Sequence, residues 1–126
     1  MKTTGLRRRK MQATAIGEMD KEYNSVDFYD EDAVRVRVDI DKKREILMNT
    51  GDFVNVATGL EVTIPDDCYG FLIPGEDVKP GLFIVNPIVE SGEDVSITAQ
   101  LGFIGAGFNE LKRGDIIASL ILLKKG

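Results

Sequence analysis

Histidine is missing from this chain of 126 residues, and its absence limits the available chemistry. Without it there is no Ser-His-Asp or Cys-His arrangement, no imidazole general base and none of the usual zinc ligands. Any catalysis would rest on carboxylates, lysines, tyrosines or a carboxylate-bound metal. The carboxylates come in groups: Asp27, Asp30, Glu31 and Asp32 within VDFYDEDAV, then Asp66 with Asp67, Glu76 with Asp77, and Glu90 ahead of Ser91-Gly92-Glu93-Asp94. Such oxygen-rich sets suit a hard divalent cation. The first group, however, lacks the Asp-x-Asp-x-Asp-Gly spacing of a calcium loop and reads as a solvated turn, as do the pairs. The one cysteine, Cys68, excludes an internal disulfide and permits a reducing compartment.

Cations are concentrated in Arg7-Arg8-Arg9-Lys10, at the front of a chain whose net charge is −5. The overall charge argues against nucleic acid as a general partner. The local run can dock on phosphates or on an acidic protein surface such as a neighbouring subunit. No apolar segment follows it, so it does not read as a secretory signal. No apolar run approaches the roughly 18 residues of a membrane span, so no membrane partner is expected. Gly102-Phe-Ile-Gly-Ala-Gly107 superficially resembles a phosphate-cradling loop. That device needs a strand before it, a helix after it and a βαβ frame. Here the glycines lie between two strand candidates, and a tight connection is the better reading.

The elements that must position these groups are β throughout. Ala33–Val38 alternates strictly, with Val34, Val36 and Val38 on one face and Arg35 and Arg37 on the other. Leu60–Ile64 and Val95–Leu101 alternate likewise. Shorter candidates are Gln12–Ile16, Ser25–Tyr29, Asp52–Ala57, Gly70–Ile73 and Leu82–Val85. Asp115–Leu123 is almost continuously apolar, and its isoleucines and the preceding Arg113-Gly114-Asp115 turn favour a strand. Further turn signals fall at Asn49–Asp52, Pro65–Asp67, Pro74-Gly75, Lys79–Gly81 and Ser91–Glu93. Many short strands with such spacing predict one all-β domain, a sandwich, jelly roll or small barrel of mostly antiparallel strands. The basic residues 1–10 read as an arm and 11–126 as the domain.

Several motifs in order resemble the trimeric dUTPase family of β-sandwich pyrophosphatases, over Asn24 to Leu123. Ser25-Val-Asp-Phe-Tyr is similar to the family's Ala-Gly-Tyr-Asp-Leu-Tyr, with Asp27 at the aspartate. Ala57-Thr-Gly-Leu-Glu-Val-Thr-Ile-Pro is similar to Pro-Thr-Gly-Leu-x-x-x-Ile-Pro. Pro65, Tyr69, Gly70 and Pro74 fall on matching family positions. Lys112-Arg-Gly-Asp-Ile-Ile-Ala-Ser-Leu-Ile resembles Lys-x-Gly-Asp-Arg-Ile-Ala-Gln-Leu-Ile. The resemblance implies a dUTPase-like β-sandwich or jelly roll that associates as a homotrimer.

Its chemistry departs from the family's. After Pro74 the family has Arg-Ser, which holds phosphates; here Gly75 and Glu76 occupy those positions, a degenerate phosphate loop in which a carboxylate replaces a charge-assisted donor. Glu90 falls at the water-activating aspartate, one methylene longer, and the tyrosine that follows in the family is missing. Ile116 and Ser119 replace Arg and Gln, and the glycine-rich C-terminal arm has no counterpart before Gly126. The expectation is therefore a non-catalytic homotrimer serving as a structural protein, such as a phage capsid decoration or cement protein. Its basic arm (Arg7, Arg8, Arg9, Lys10) would dock on neighbouring subunits of the shell. No cofactor is expected; the location would be the virion if viral, otherwise the cytoplasm. The alternatives are a nucleotide- or regulator-binding protein, and a divergent pyrophosphatase using Asp27 and Glu90 with magnesium.

Overall fold

The computed structural model describes residues 11–16 and 26–125. Every regular element among them is a β-strand: β1 Gln12–Ala15, β2 Asp27–Asp30, β3 Ala33–Arg37, β4 Glu45–Asn49, β5 Phe53–Ile64, β6 Cys68–Pro74, β7 Leu82–Ile84, β8 Ile88–Val89, β9 Gly92–Phe103, β10 Phe108–Lys112 and β11 Ile116–Lys124. Two sheets, ordered β1-β5-β9-β7 and β2-β3-β11-β6-β8, enclose the core, and β10 and β4 pair separately. All pairings are antiparallel. The predicted all-β sandwich class is the observed one.

Period-two alternation builds the core. Val34, Val36 and Val38 are fully or almost fully buried and meet Leu60, Val62, Ile64, Ile97, Ala99 and Leu101 from the facing sheet. The near-continuous apolar run of β11 has a different cause. Its strand lies between β3 and β6 in the middle of its sheet, and Ile117, Ala118 and Leu120 are buried.

Three strands were not foreseen. The β4 and β10 pair is short, and its inward residues include the polar Asn109, which breaks apolar alternation; β8 is only two residues long. The candidates Asp52–Ala57 and Leu60–Ile64 are one strand, β5, with a register shift between Ala57 and Glu61. Thr58-Gly59 is a bulge rather than a break: Gly59 takes φ +66°, and the buried Thr58 hydroxyl donates to the Ile97 carbonyl at 2.6 Å. The Ser91–Glu93 turn is also tighter than its composition implied, because β9 already begins at Gly92.

The glycine-rich segment connects β9 to β10. A Cβ on Gly81, whose φ is +102°, would run into the backbone nitrogen of Gly105, and one on Gly105 would run into the Pro80 carbonyl. The Ile104 amide donates to the Gly81 carbonyl at 2.9 Å across this contact. These glycines let two turns press together.

Candidate functional site

Strand pairing assembles the face around the loop that follows Pro74. Asp27 of β2 lies opposite Arg35 of β3, Arg35 opposite Ser119 of β11, and Ser119 opposite Ile73 of β6. That row runs along the outer side of the five-stranded sheet and ends one residue short of Pro74. Arg37, two positions along β3, projects from the same side because strand side chains alternate.

Both oxygens of Asp27 are used within this row. Arg35 Nη1 donates to Oδ1 at 3.3 Å, and Arg37 Nη2 donates to Oδ2 at 3.0 Å. Arg37 Nη1 also reaches the Gly114 carbonyl at 3.0 Å, while the Arg35 guanidinium lies 4.6 Å from the centre of the Tyr29 ring. A divalent cation at Asp27 would approach two guanidinium groups, so this arrangement does not fit magnesium within one chain. Among the described residues no group of three or more His, Cys, Asp or Glu side chains has metal-holding geometry.

A cleft of about 350 Å³ opens beside the row, lined by Tyr29, Arg35, Ile73, Pro74, Gly75, Glu76, Asp77, Ile116 and Ser119. Among the described residues its one lining cation, Arg35, is already paired and faces two exposed carboxylates, so a polyphosphate would meet net negative charge there. The loop backbone is held by the Gly75 amide, which donates to the Ile117 carbonyl at 3.0 Å. A Cβ on Gly75 would meet its nearest atoms at an ordinary 3.5 Å. Space therefore admits a side chain at that position. A second cavity of about 370 Å³ adjoins the cleft, sharing Asp77 and Ile116 with it, and is lined also by Arg37, Lys79, Asn109, Glu110 and Asp115.

Glu90 lies elsewhere. It is exposed, directly after β8, and β2 and β8 are opposite edges of the sheet. Four strand spacings separate those edges, about 19 Å. Asp27 and Glu90 of one chain do not meet, so any site using both would take them from two copies. Arg7, Arg8, Arg9 and Lys10 lie outside the described residues.

Sequence reasoning missed the arginine pair. Arg35 and Arg37 read as an ordinary solvent face, although their alternation and the short Asp30–Asp32 turn together carry the signal that Asp27 must sit across from them.

No protein-family model matches the chain, and no curated protein matches it. Solved structures do. The EIAV dUTPase superposes with a TM-score of 0.63 at 23% identity, covering 91% of this chain and 87% of that one. The dUTPase of phage phi11 of S. aureus, described with a structural Mg(II) ion, gives 0.67 at 12% identity over 92% and 91%. A variant of the Staphylococcus bacteriophage 80alpha dUTPase gives 0.70 at 11% identity over 92% and 90%.

Proposed function

We propose that this dUTPase-like fold serves as a non-catalytic homotrimeric structural protein. It would decorate a larger assembly such as a phage capsid, with Arg7–Lys10 docking on neighbouring subunits. The observation that carries this reading is the loop after Pro74. Gly75 and Glu76 stand where the resembling family has a phosphate-binding Arg-Ser, in a cleft where Arg35, the one guanidinium among the described lining residues, is already held by Asp27. Exposed apolar side chains support an assembly role: Phe53, Ile104 and Phe108 are 66%, 70% and 53% exposed. They gather at one end of the molecule, where the Gly51 amide donates to the Phe103 carbonyl and the Thr50 hydroxyl to the Gly105 carbonyl. Grouped exposed apolar surface marks interaction sites.

The test incubates the purified protein with dUTP and magnesium and assays dUMP. No turnover is expected, together with co-sedimentation with the parent particle that is lost on deletion of residues 1–10. Turnover abolished by Asp27→Asn or Glu90→Gln would replace this reading with the divergent pyrophosphatase.

A second reading, a nucleotide- or regulator-binding protein, is supported by the 80alpha neighbour, one of the phage dUTPases that control transfer of virulence genes. A thermal-shift panel of nucleotides separates it, since a ligand at 100 times its dissociation constant adds about 2.7 kcal/mol.

A further inference from the structure

A strand at the edge of a sheet leaves backbone donors and acceptors unpaired, which invites another strand unless something blunts it. Most edges of this fold are blunted. β2 is interrupted by the bulge between Phe28 and Asp30, and β7 and β8, on either side of Pro87, are only three and two residues long. The Met11 amide, just before β1, is taken by Asp32 Oδ1 at 3.4 Å. Along the outer edge of β10, Lys79 Nζ donates to the Phe108 carbonyl at 2.6 Å and the Lys112 amide donates to Asp115 Oδ2 at 2.8 Å. β4 differs. It runs regularly opposite β10 over Glu45–Asn49, with no proline, lysine or bulge, and among the described residues no strand pairs with its other side.

The turn that ends β4 shows which way its backbone groups point. The Asn49 amide donates to Asp52 Oδ2 at 2.7 Å and the Asn49 carbonyl accepts from the Asp52 amide at 2.9 Å, so both are used away from β10. Lys112 sits opposite Glu45 and likewise uses both of its groups on Asp115. Bonded and non-bonded pairs alternate along an antiparallel ladder. Ile46 and Met48 therefore exchange bonds with Leu111 and Asn109, while the amides and carbonyls of Glu45 and Leu47 point outward from the ribbon. None of those groups has another backbone partner among the described residues.

We propose that this edge is a two-fold contact that receives β4 of a second copy of the chain, antiparallel and centred on Ile46. That register sets Glu45 opposite Leu47 of the second copy and Leu47 opposite its Glu45, which satisfies every outward group of both strands. Centring on Leu47 would instead face Glu45 with Asn49, whose groups are already taken in its own turn. Charge agrees with the Ile46 register. Lys43 and Arg44, both exposed just before β4, come alongside the Asn49–Asp52 turn of the second copy, where the Asp52 carboxylate caps the edge. Glu45 meets a leucine and not another glutamate, and Ile46, packed against the core, meets its own counterpart across the axis. A second copy is the occupant that supplies these complements in matched pairs at both ends of one axis. The contact is separate from the trimeric association proposed above and does not depend on it.

The experiment uses full-length chains carrying Ile46→Cys or Leu47→Cys, oxidised in solution and run on a non-reducing gel beside the parent protein, whose Cys68 is buried. At the axis the two Ile46 positions form a non-bonded pair with Cα atoms about 4.5 Å apart, within the span of a disulfide. Ile46→Cys should give about tenfold more linked dimer than Leu47→Cys. Exposure alone would favour the opposite order, since Leu47 is 55% exposed and Ile46 is half-buried. Adding Leu47→Pro removes one outward donor per chain without touching the bonds to β10, and should lower the Ile46→Cys crosslink about tenfold. Hydrogen exchange on the unsubstituted protein keeps the contact testable if a variant fails to fold. The Glu45 and Leu47 amides should be protected at high protein concentration and exchange about tenfold faster on dilution, while the Met48 amide stays protected. Leu47→Cys linking as well as Ile46→Cys, or better, would overturn the register. Free exchange at Glu45 and Leu47 at every concentration would overturn the contact; a trimer in sedimentation under those conditions would leave the trimeric reading standing.

Discussion

Asparagine in place of Asp27 keeps the shape of the side chain and removes its charge, so it tests whether this carboxylate is a structural clamp. The stronger of its bonds is to Arg37, at 3.0 Å, with side chains 26% and 22% exposed. A charge-assisted hydrogen bond is worth about 1.5–3 kcal/mol, and partial exposure places this one in the lower half of that range. The Arg35 bond is longer, at 3.3 Å, and that side chain is 39% exposed, so it belongs with surface ion pairs worth about 0.2–1 kcal/mol. Together the two set an expected loss of about 1.7–3.2 kcal/mol. At about 4 °C per kcal/mol for a chain of this length, Tm should fall by about 7–13 °C. Thermal and urea unfolding would be compared at one protein concentration, because association makes Tm depend on it. A double-mutant cycle with Arg37→Gln should give a coupling of about 1 kcal/mol. Stability within about 0.5 kcal/mol of the parent, or a coupling below that, would refute the clamp and free Asp27 for a chemical role.

The two loop glycines should behave in opposite ways. Gly81→Ala places a Cβ against the Gly105 nitrogen at a positive φ and should cost more than about 2 kcal/mol in denaturant unfolding, whereas Gly75→Ala should stay within about 0.5 kcal/mol. Phe53→Ser combined with Ile104→Ser should weaken self- or particle association about tenfold in sedimentation, with folding stability nearly unchanged; unaltered association would show that this end faces no partner. Gly75→Arg combined with Glu76→Ser turns the cleft from net negative to net positive. Calorimetry should then detect pyrophosphate binding that weakens with salt, still without dUTP hydrolysis; turnover in this variant would show that the loop alone had been the obstacle.

The core was legible wherever one face of a strand meets the opposite sheet. Val34, Val36 and Val38 could be read as inward from alternation alone, as could Leu60, Val62 and Ile64. Legibility failed where polar atoms satisfy local backbone needs inside the fold. Thr58-Gly59 has the composition of a turn, but the Thr58 hydroxyl caps a bulge within β5. Asn109 points inward on β10 and so hides that strand. The site was legible one residue at a time and not as a set. Asp27, Pro74, Gly75 and Glu76 stood out as motif positions, but the pairing of Asp27 with Arg35 and Arg37 depends on a hairpin register with a bulge between Phe28 and Asp30. Glu90 was legible as an acid at a suggestive position; that it lies on the edge opposite Asp27 follows only from the strand order.

That strand order also places unequal demands on the row and on the loop after Pro74. The row Asp27–Arg35–Ser119–Ile73 is fixed by backbone pairing across four strands, and changing Asp27 removes the counter-charge of two arginines at once. At Gly75 the fold asks only for a backbone amide to meet the Ile117 carbonyl, a bond that any residue except proline can make. Stability therefore constrains the aspartate strongly and the side chains at positions 75 and 76 hardly at all. Asp27 by itself is consequently weak evidence for catalysis, because it has a structural reason to be there. The side chains at Gly75 and Glu76 have no such reason, so their identity reports on function more directly. They place a carboxylate at the mouth of a cleft where bound phosphates would require a cation.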